Sequence, residues 1–473
     1  MFPQRLLLSA LPIALALVPA ATAQRIRTLG PSGNVTPVTA HRQVAWSTGF
    51  NPGTATVQFW NGSTVTPIPT GGNSIDGVGF TAPTSLFYLV RGGTSFGYNA
   101  WNGGPIFRVL TNPIDRFYAN GNGAVFPTGS YADIGLYTSG ASFAVIGGGD
   151  ALLDYGPHCS GRYVVWHKRI STLPDFQVRR FDRTTGVTTT ISTNTTYSQF
   201  PQVDEEGRVA WWAGGQASGA TTQLRVGDTF RTLAGPTLGA GTYALHHGQL
   251  AYLRRNVNLV SWDLVLEDGA SVRTLTPPDG ILGQSHSVWL RNGMVAWLEA
   301  GDLRVFDGSQ TITILSTPSV SGFGEFLDRG WIVYNSGGSV TLRESPLTWE
   351  QDELDASAGG TVSFGLHGGA ANAGRPYLLL ASISGTSPGV PLGAVTLPLN
   401  PDAFFFASLS LANTPLLSGT LGSLDGAGEA SASFNAPPGL LSGIAGAYVS
   451  FAYGLYAPAL DYVSNPARVK IVP

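Results

Sequence analysis

Short apolar runs alternate with polar, glycine-rich turns along most of this chain, and one run returns with a fixed make-up: two apolar residues, then an aromatic. It reads Val44-Ala45-Trp46, Leu86-Phe87-Tyr88, Ala124-Val125-Phe126, Val164-Val165-Trp166, Val209-Ala210-Trp211, Leu250-Ala251-Tyr252, Val295-Ala296-Trp297 and Ile332-Val333-Tyr334. The aromatics are separated by 42, 38, 40, 45, 41, 45 and 37 residues. Alternation such as Leu303-Arg304-Val305-Phe306 suits a half-buried strand. A period of about forty residues built from such runs predicts four-stranded propeller blades.

The clearest unit runs from Pro201 to Ala234, with strands expected at Gln202-Val203, Arg208 to Trp212, Thr222 to Val226 and Thr229 to Leu233. Third and fourth strands are joined by Asn61-Gly62, Asn102-Gly103, Asp268-Gly269 and Asp307-Gly308, residues that tolerate the positive φ of a tight hairpin. Third strands are expected near Val57, Tyr98, Ile134, Val178, Leu224, Leu264, Leu303 and Val340. The last has no fourth strand after it. Ile26-Arg27-Thr28-Leu29 reads like Phe230-Arg231-Thr232-Leu233, so the N-terminal strand is expected to complete the final blade and close the ring. The fold class is therefore all-β, a propeller of eight blades by this count. Seven is the alternative, because the repeats between Thr70 and Asp154 are degenerate. The repeated aromatics read as packing between neighbouring blades.

Composition adds the compartment and narrows the partners. Only 12% of the 473 residues are charged, 62 are Gly and 31 Pro, and the formal net charge is -3. This balance gives no pull toward nucleic acid or an anionic membrane. Arg5, the apolar stretch Leu6 to Val18 and Ala21-Thr22-Ala23 read as a signal peptide over 1–23, with a mature start near Gln24. No later segment predicts an integral membrane span. Cys159 is the single cysteine, so no intramolecular disulfide forms; it reads as a buried apolar residue.

The propeller is expected to span 24–346. Residues 347–359, acidic from Glu350 to Asp355 and ending in Ala358-Gly359, read as a linker. Between 357 and 459 the only charged groups are Arg375, Asp402, Asp425 and Glu429, and alternating runs predict a β-sandwich over 360–473. Charge so sparse suggests that one face docks on the propeller or on another surface.

The Val-Ala-Trp strand, the hairpin Leu303-Arg304-Val305-Phe306-Asp307-Gly308 and the Thr-Leu-Thr strand resemble the propeller of the TolB family of exported bacterial proteins. The resemblance covers about Arg25 to Pro346 and implies the fold only, since the α/β domain of that family is absent. Gly374-Arg375-Pro376-Tyr377-Leu378-Leu379-Leu380, Leu397-Pro398-Leu399-Asn400-Pro401-Asp402 and Ser433-Phe434-Asn435-Ala436-Pro437 resemble a C-terminal module of secreted planctomycete-type proteins, which implies an exported, surface-associated protein.

Candidate chemistry is sparse. His41, His158, His246, His247 and His286 precede the repeated aromatic by 5, 8, 6, 5 and 11 residues. Facing the channel together they could form a metal or acid–base site, but these registers do not place them in one ring. His286 stands where an innermost strand should begin and is the best single channel candidate. Arg179, Arg180, Arg254 and Arg255 could bind an anionic sugar or a carboxylate. Asp204-Glu205-Glu206 reads as a solvated turn, lacking the oxygen spacing of a calcium loop. No nucleophile elbow, zinc-protease or phosphate-loop motif is present. No catalytic residue, metal or cofactor is expected. The leading reading is an exported binding propeller, periplasmic, cell-surface or extracellular, with a protein or glycan partner. The alternatives are a carbohydrate- or peptide-active hydrolase or lyase using the channel, and a structural envelope protein.

Overall fold

A computed structural model describes residues 25–473 except for short stretches, the longest being 214–221, 234–242, 277–287 and 315–325. Eight four-stranded antiparallel sheets follow one another from Arg25 to Glu344 among the described residues. Seven are built from four consecutive strands. In the eighth, Leu327–Asp328, Trp331–Ser336 and Ser339–Glu344 are completed by Arg25–Pro31, which pairs antiparallel from Arg25↔Glu344 to Pro31↔Ser339. First and last units thus share one sheet, and the ring has no open edge there.

Two positions repeat around this β-propeller. The aromatics Trp46, Tyr88, Phe126, Trp166, Trp211, Tyr252, Trp297 and Tyr334 are all buried, none more than 6% exposed. Their third-strand neighbours Val57, Tyr98, Ile134, Val178, Leu224, Leu264, Leu303 and Val340 are all 0% exposed. Successive blades pack through these residues. Trp46 and Trp60 of the first blade join Trp331 and Val333 of the eighth in one cluster, and the rings of Trp60 and Trp331 stack at 5.5 Å. Cys159 lies buried in the cluster joining the third and fourth blades.

Among the described residues the tail forms two larger sheets and a two-stranded one, Val390–Leu392 with Val395–Leu397. One larger sheet contains Leu347–Trp349, Gly360–His367, Glu429–Ala436 and Leu417–Ser418; the other contains Glu353–Asp355, Ala467–Val472, Tyr448–Leu455, Pro376–Ser382 and Leu421–Ser423. Both larger sheets contribute to a common core that includes Trp349, Phe364, Phe434, Leu379, Phe451 and Tyr453. A helix, Ala403–Ser410, begins at Asp402, whose carboxylate accepts the Phe405 N–H at 2.7 Å.

The stretch 347–359, expected as a linker, is corrected by this topology. Leu347–Trp349 pairs with Gly360–His367, and Glu353–Asp355 runs parallel to Ala467–Val472. Its acidic side chains conceal an apolar set, since Leu347, Trp349 and Leu354 are at most 3% exposed. Among the described residues no helix is long and apolar enough to cross a membrane.

Candidate functional site

In several blades the first and second strands are joined by a two-residue turn with both residues left-handed. His41-Arg42 has φ of 53° and 57°, His247-Gly248 43° and 73°, Asn292-Gly293 49° and 82°, and Arg329-Gly330 43° and 85°. This is the hairpin that matches strand twist, and the glycines supply its second position without strain. The fifth blade carries a longer turn, Asp204 to Arg208. Buried Asp204 shapes it by accepting the N–H groups of Glu206 at 3.1 Å and Arg208 at 2.8 Å. Its second oxygen accepts from Arg208 Nε at 3.2 Å and from the N–H of Gly248 at 3.3 Å, which fixes this turn against that of the sixth blade.

That contact brings Glu205, His246 and His247 together, with ligand-type atoms all within 4.8 Å of one another. Glu205 accepts the Ser160 hydroxyl at 2.5 Å and the His247 N–H at 3.3 Å, and lies 3.6 Å from His246 Nε2. His246 Nδ1 accepts the N–H of Asn292 at 3.2 Å. On the tail side, Asp352 Oδ2 lies 3.8 Å from His247 Nε2. Burial opposes charge on each group, and the neighbours decide the outcome. For Glu205, His246, His247 and the Ser160 hydroxyl outweigh burial and hold the carboxyl below its usual range. For His247, Glu205 and Asp352 outweigh burial and raise the imidazole. For His246, burial prevails and pulls it down to about 3.

Around this centre the same rim carries a chain of ion pairs, several of which cross to the tail. Asp328 faces Arg329 at 2.8 Å and Arg291 at 3.6 Å, and accepts the Arg42 N–H at 3.3 Å. Arg329 also donates to the carbonyl of Glu350. Glu206 accepts from the Tyr448 hydroxyl at 2.5 Å and from Lys470. Arg468 meets Asp268 at 2.8 Å and lies over the Tyr448 ring at 3.9 Å. The low-charge stretch of the tail takes part in this contact through Tyr448 and through Glu429, which meets Arg25 at 3.2 Å. Two of the tail's cations in it, Arg468 and Lys470, lie in the final strand beyond that stretch.

Above the rim, the first strands of the third to seventh blades enclose a cavity of about 200 Å³, lined by Tyr118, His158, Ser160, Gln202, His246 and Arg291 among others. His158 accepts the Val203 N–H at 3.3 Å and stacks on Tyr118, and burial pulls its imidazole down to about 4. A second cavity, of about 320 Å³, lies between the sixth and seventh blades and the tail.

Of the residues singled out for binding, His286 lies outside the described residues. Arg179 and Arg180 are neighbours on the third strand of the fourth blade. Arg179 donates to Gln177 at 3.3 Å; Arg180 donates to the Gly207 carbonyl at 2.8 Å and covers the Tyr163 ring. Arg254 pairs with Asp263 at 3.4 Å, and Arg255 ends the same strand, with backbone pairing to Trp262. The structure gathers instead Glu205, His246, His247 and Asp352. The count of histidine registers missed this group because its members come from different residue types on neighbouring turns.

No protein-family model and no characterised protein matches the sequence. Solved structures of similar fold include an oligogalacturonate lyase in complex with manganese (11% identity, 64% of this chain and 97% of that one, TM-score 0.42). Others are the β-propeller domain of the trilobed protease from Pyrococcus furiosus (10%, 62% and 99%, 0.41) and TolB from Acinetobacter baumannii (13%, 64% and 79%, 0.31). At these values the likeness is one of fold alone, and the propeller architecture rests on the strand order and registers above.

Proposed function

We propose that this chain is an exported, non-catalytic propeller that binds a protein or glycan partner at the rim where its first strands begin, with the tail as an attachment module. The observation that supports this most is the use made of the charged groups at the other rim. Glu206, Asp268, Asp328 and Asp352 all face cations or imidazoles, and the pairs made by Glu206, Asp268 and Asp352 join the propeller to the tail. A hydrolase or lyase in the channel needs an acid and a base open to substrate, and these four carboxylates are engaged in pairs instead, three of them across the two domains. A propeller brings connections from every blade to each rim, so a recognition surface there needs no catalytic motif. The signal-like segment 1–23 and the resemblance of the tail to secreted modules support export to the periplasm, cell surface or medium.

The test is a melting-temperature screen of the chain from Gln24 onward against polysaccharides, anionic sugars and peptides, with each mixture then chromatographed. A saturable rise with one class and an unchanged ligand supports the reading. Shortened or unsaturated products overturn it in favour of a channel enzyme.

A further inference from the structure

The group at the centre of the junction has a feature that ion pairing leaves unexplained. His246 and His247 are at most 5% exposed, yet His246 Nε2 and His247 Nδ1 have no hydrogen-bond partner. Buried ring nitrogens are rarely left so. Both belong to the cluster that Glu205 completes. We propose that Glu205, His246 and His247 form a binding site for a divalent metal of the zinc class, which ties the fifth blade to the sixth.

The donor set selects the ion. Two imidazoles and a carboxylate suit zinc, whereas calcium and magnesium take oxygen ligands. Bonds of about 2.1 Å at the tetrahedral angle place ligand atoms about 3.4 Å apart. His246 Nε2 and Glu205 Oε1 stand at 3.6 Å, so this edge needs little adjustment. Asp352 lies behind His247 on the nitrogen that the metal would not use, the arrangement in which a carboxylate orients a ligating imidazole. Glu205 is held by Ser160 and by the His247 N–H. Ser160 and His246 also line the channel cavity, which gives a fourth, non-protein ligand a place to enter.

One contact must change. His246 Nδ1 accepts the Asn292 N–H at 3.2 Å, so its proton sits on Nε2. A neutral imidazole that ligates through Nε2 carries its proton on Nδ1 instead. Metal uptake therefore breaks the Asn292 contact, and the turn of the seventh blade reports on occupancy in the sixth.

The experiment uses the whole chain from Gln24, treated with chelator and titrated with zinc chloride by calorimetry. One saturable equivalent is expected, with none for calcium or magnesium. Glu205→Gln, His246→Ala and His247→Ala are expected to abolish it, and Asp352→Asn to weaken it by about 10–100-fold. His41→Ala, at the matching turn position of the first blade, should leave it unchanged. Zinc-edge X-ray absorption on the unaltered chain reads the ligands directly, whatever the variants do to folding. Two imidazoles and a carboxylate oxygen support the site. An oxygen-only shell, an absence of saturable binding, or binding that survives loss of both His246 and His247 overturns it. Faster exchange of the Asn292 amide on adding zinc is expected as well; an unchanged amide in a zinc-loaded chain would exclude His246 Nε2 as a ligand.

Discussion

Two positions of the same repeat, five or six residues apart, behave in opposite ways. The second-strand aromatic is Trp, Tyr or Phe in every blade, whereas the turn before it carries His41, His246 and His247, Arg291 or Asp328 in different blades. The aromatic position is constant because each blade meets the next through the same face, and only a large apolar side chain fills that space. The turn faces outward along the ring axis, where nothing in the repeat dictates its chemistry. Constancy along a repeat therefore marks packing, and variation at a fixed geometry marks the positions where this propeller meets something other than itself. Here part of that something is its own tail.

The largest effect is expected at the constant position. Trp297 is 2% exposed, in a cluster that spans the fifth to seventh blades. Trp297→Ala should destabilise the chain by about 3–5 kcal/mol in denaturant unfolding, and Trp297→Phe by distinctly less, since most of the ring volume remains. Equal losses for the two would mean that packing volume is not what this position supplies.

At the turn position the charged pair Asp328–Arg329 should rank next. Both side chains are buried, at 0% and 7% exposure, and Asp328 also faces Arg291. Burial pushes the Asp328 carboxyl up, but the two guanidiniums outweigh it and keep it ionised. Asp328→Ala should cost about 3 kcal/mol, because it leaves Arg329 and Arg291 buried without their partner. Replacing Asp328, Arg291 and Arg329 together by apolar residues should recover part of that loss. A triple variant no more stable than the single one would show that the contact of Arg329 with the Glu350 carbonyl is the larger contribution.

These contrasts also explain what was legible in the sequence. The aromatics and the third-strand residues could be read because packing requires the same chemistry in each blade. The strand Arg25–Pro31 could be read because its Arg-Thr-Leu wording repeats that of other outer strands. The group around Glu205 could not, because a search for one residue type at one register overlooks a longer turn in the fifth blade lying against a short one in the sixth. Residues 347–359 misled for a related reason. Glu350 and Glu353 are solvated as they look, but Asp352 sits against the propeller's His247, and Leu347, Trp349 and Leu354 flanking these acids are strand residues facing a core.

A smaller effect tests a departure from the repeat next to the aromatic. His167 follows Trp166 where other blades carry residues such as Leu89, Leu253 or Leu298. It is enclosed by Tyr155, Phe176 and Phe200, and burial pulls its imidazole down to about 3. A histidine lowered on folding is neutral in the native state and takes up a proton first in the unfolded chain. Its contribution to stability is thus complete above pH 6.5 and is lost progressively as pH falls toward 3. Between pH 7.5 and pH 5 this one group should remove about 2 kcal/mol. His167→Phe should make that part of the curve shallower by this amount, with His158, His246 and His367 still contributing in the same direction; an unchanged slope would assign the acid sensitivity to those groups alone.

The smallest effect belongs to the strand end, two residues beyond the aromatic of the sixth blade, where the repeat leaves the core. Arg254 is 43% exposed and meets Asp263 at 3.4 Å. A pair so open to water is screened, and Arg254→Ala should change stability by about 0.5 kcal/mol or less. If Arg254 contributes to binding, the same variant should weaken a saturable anionic ligand while leaving the melting temperature of the free chain in place. A loss of several degrees in the free chain would instead assign Arg254 to the fold, and would remove the arginines of this strand from the binding surface.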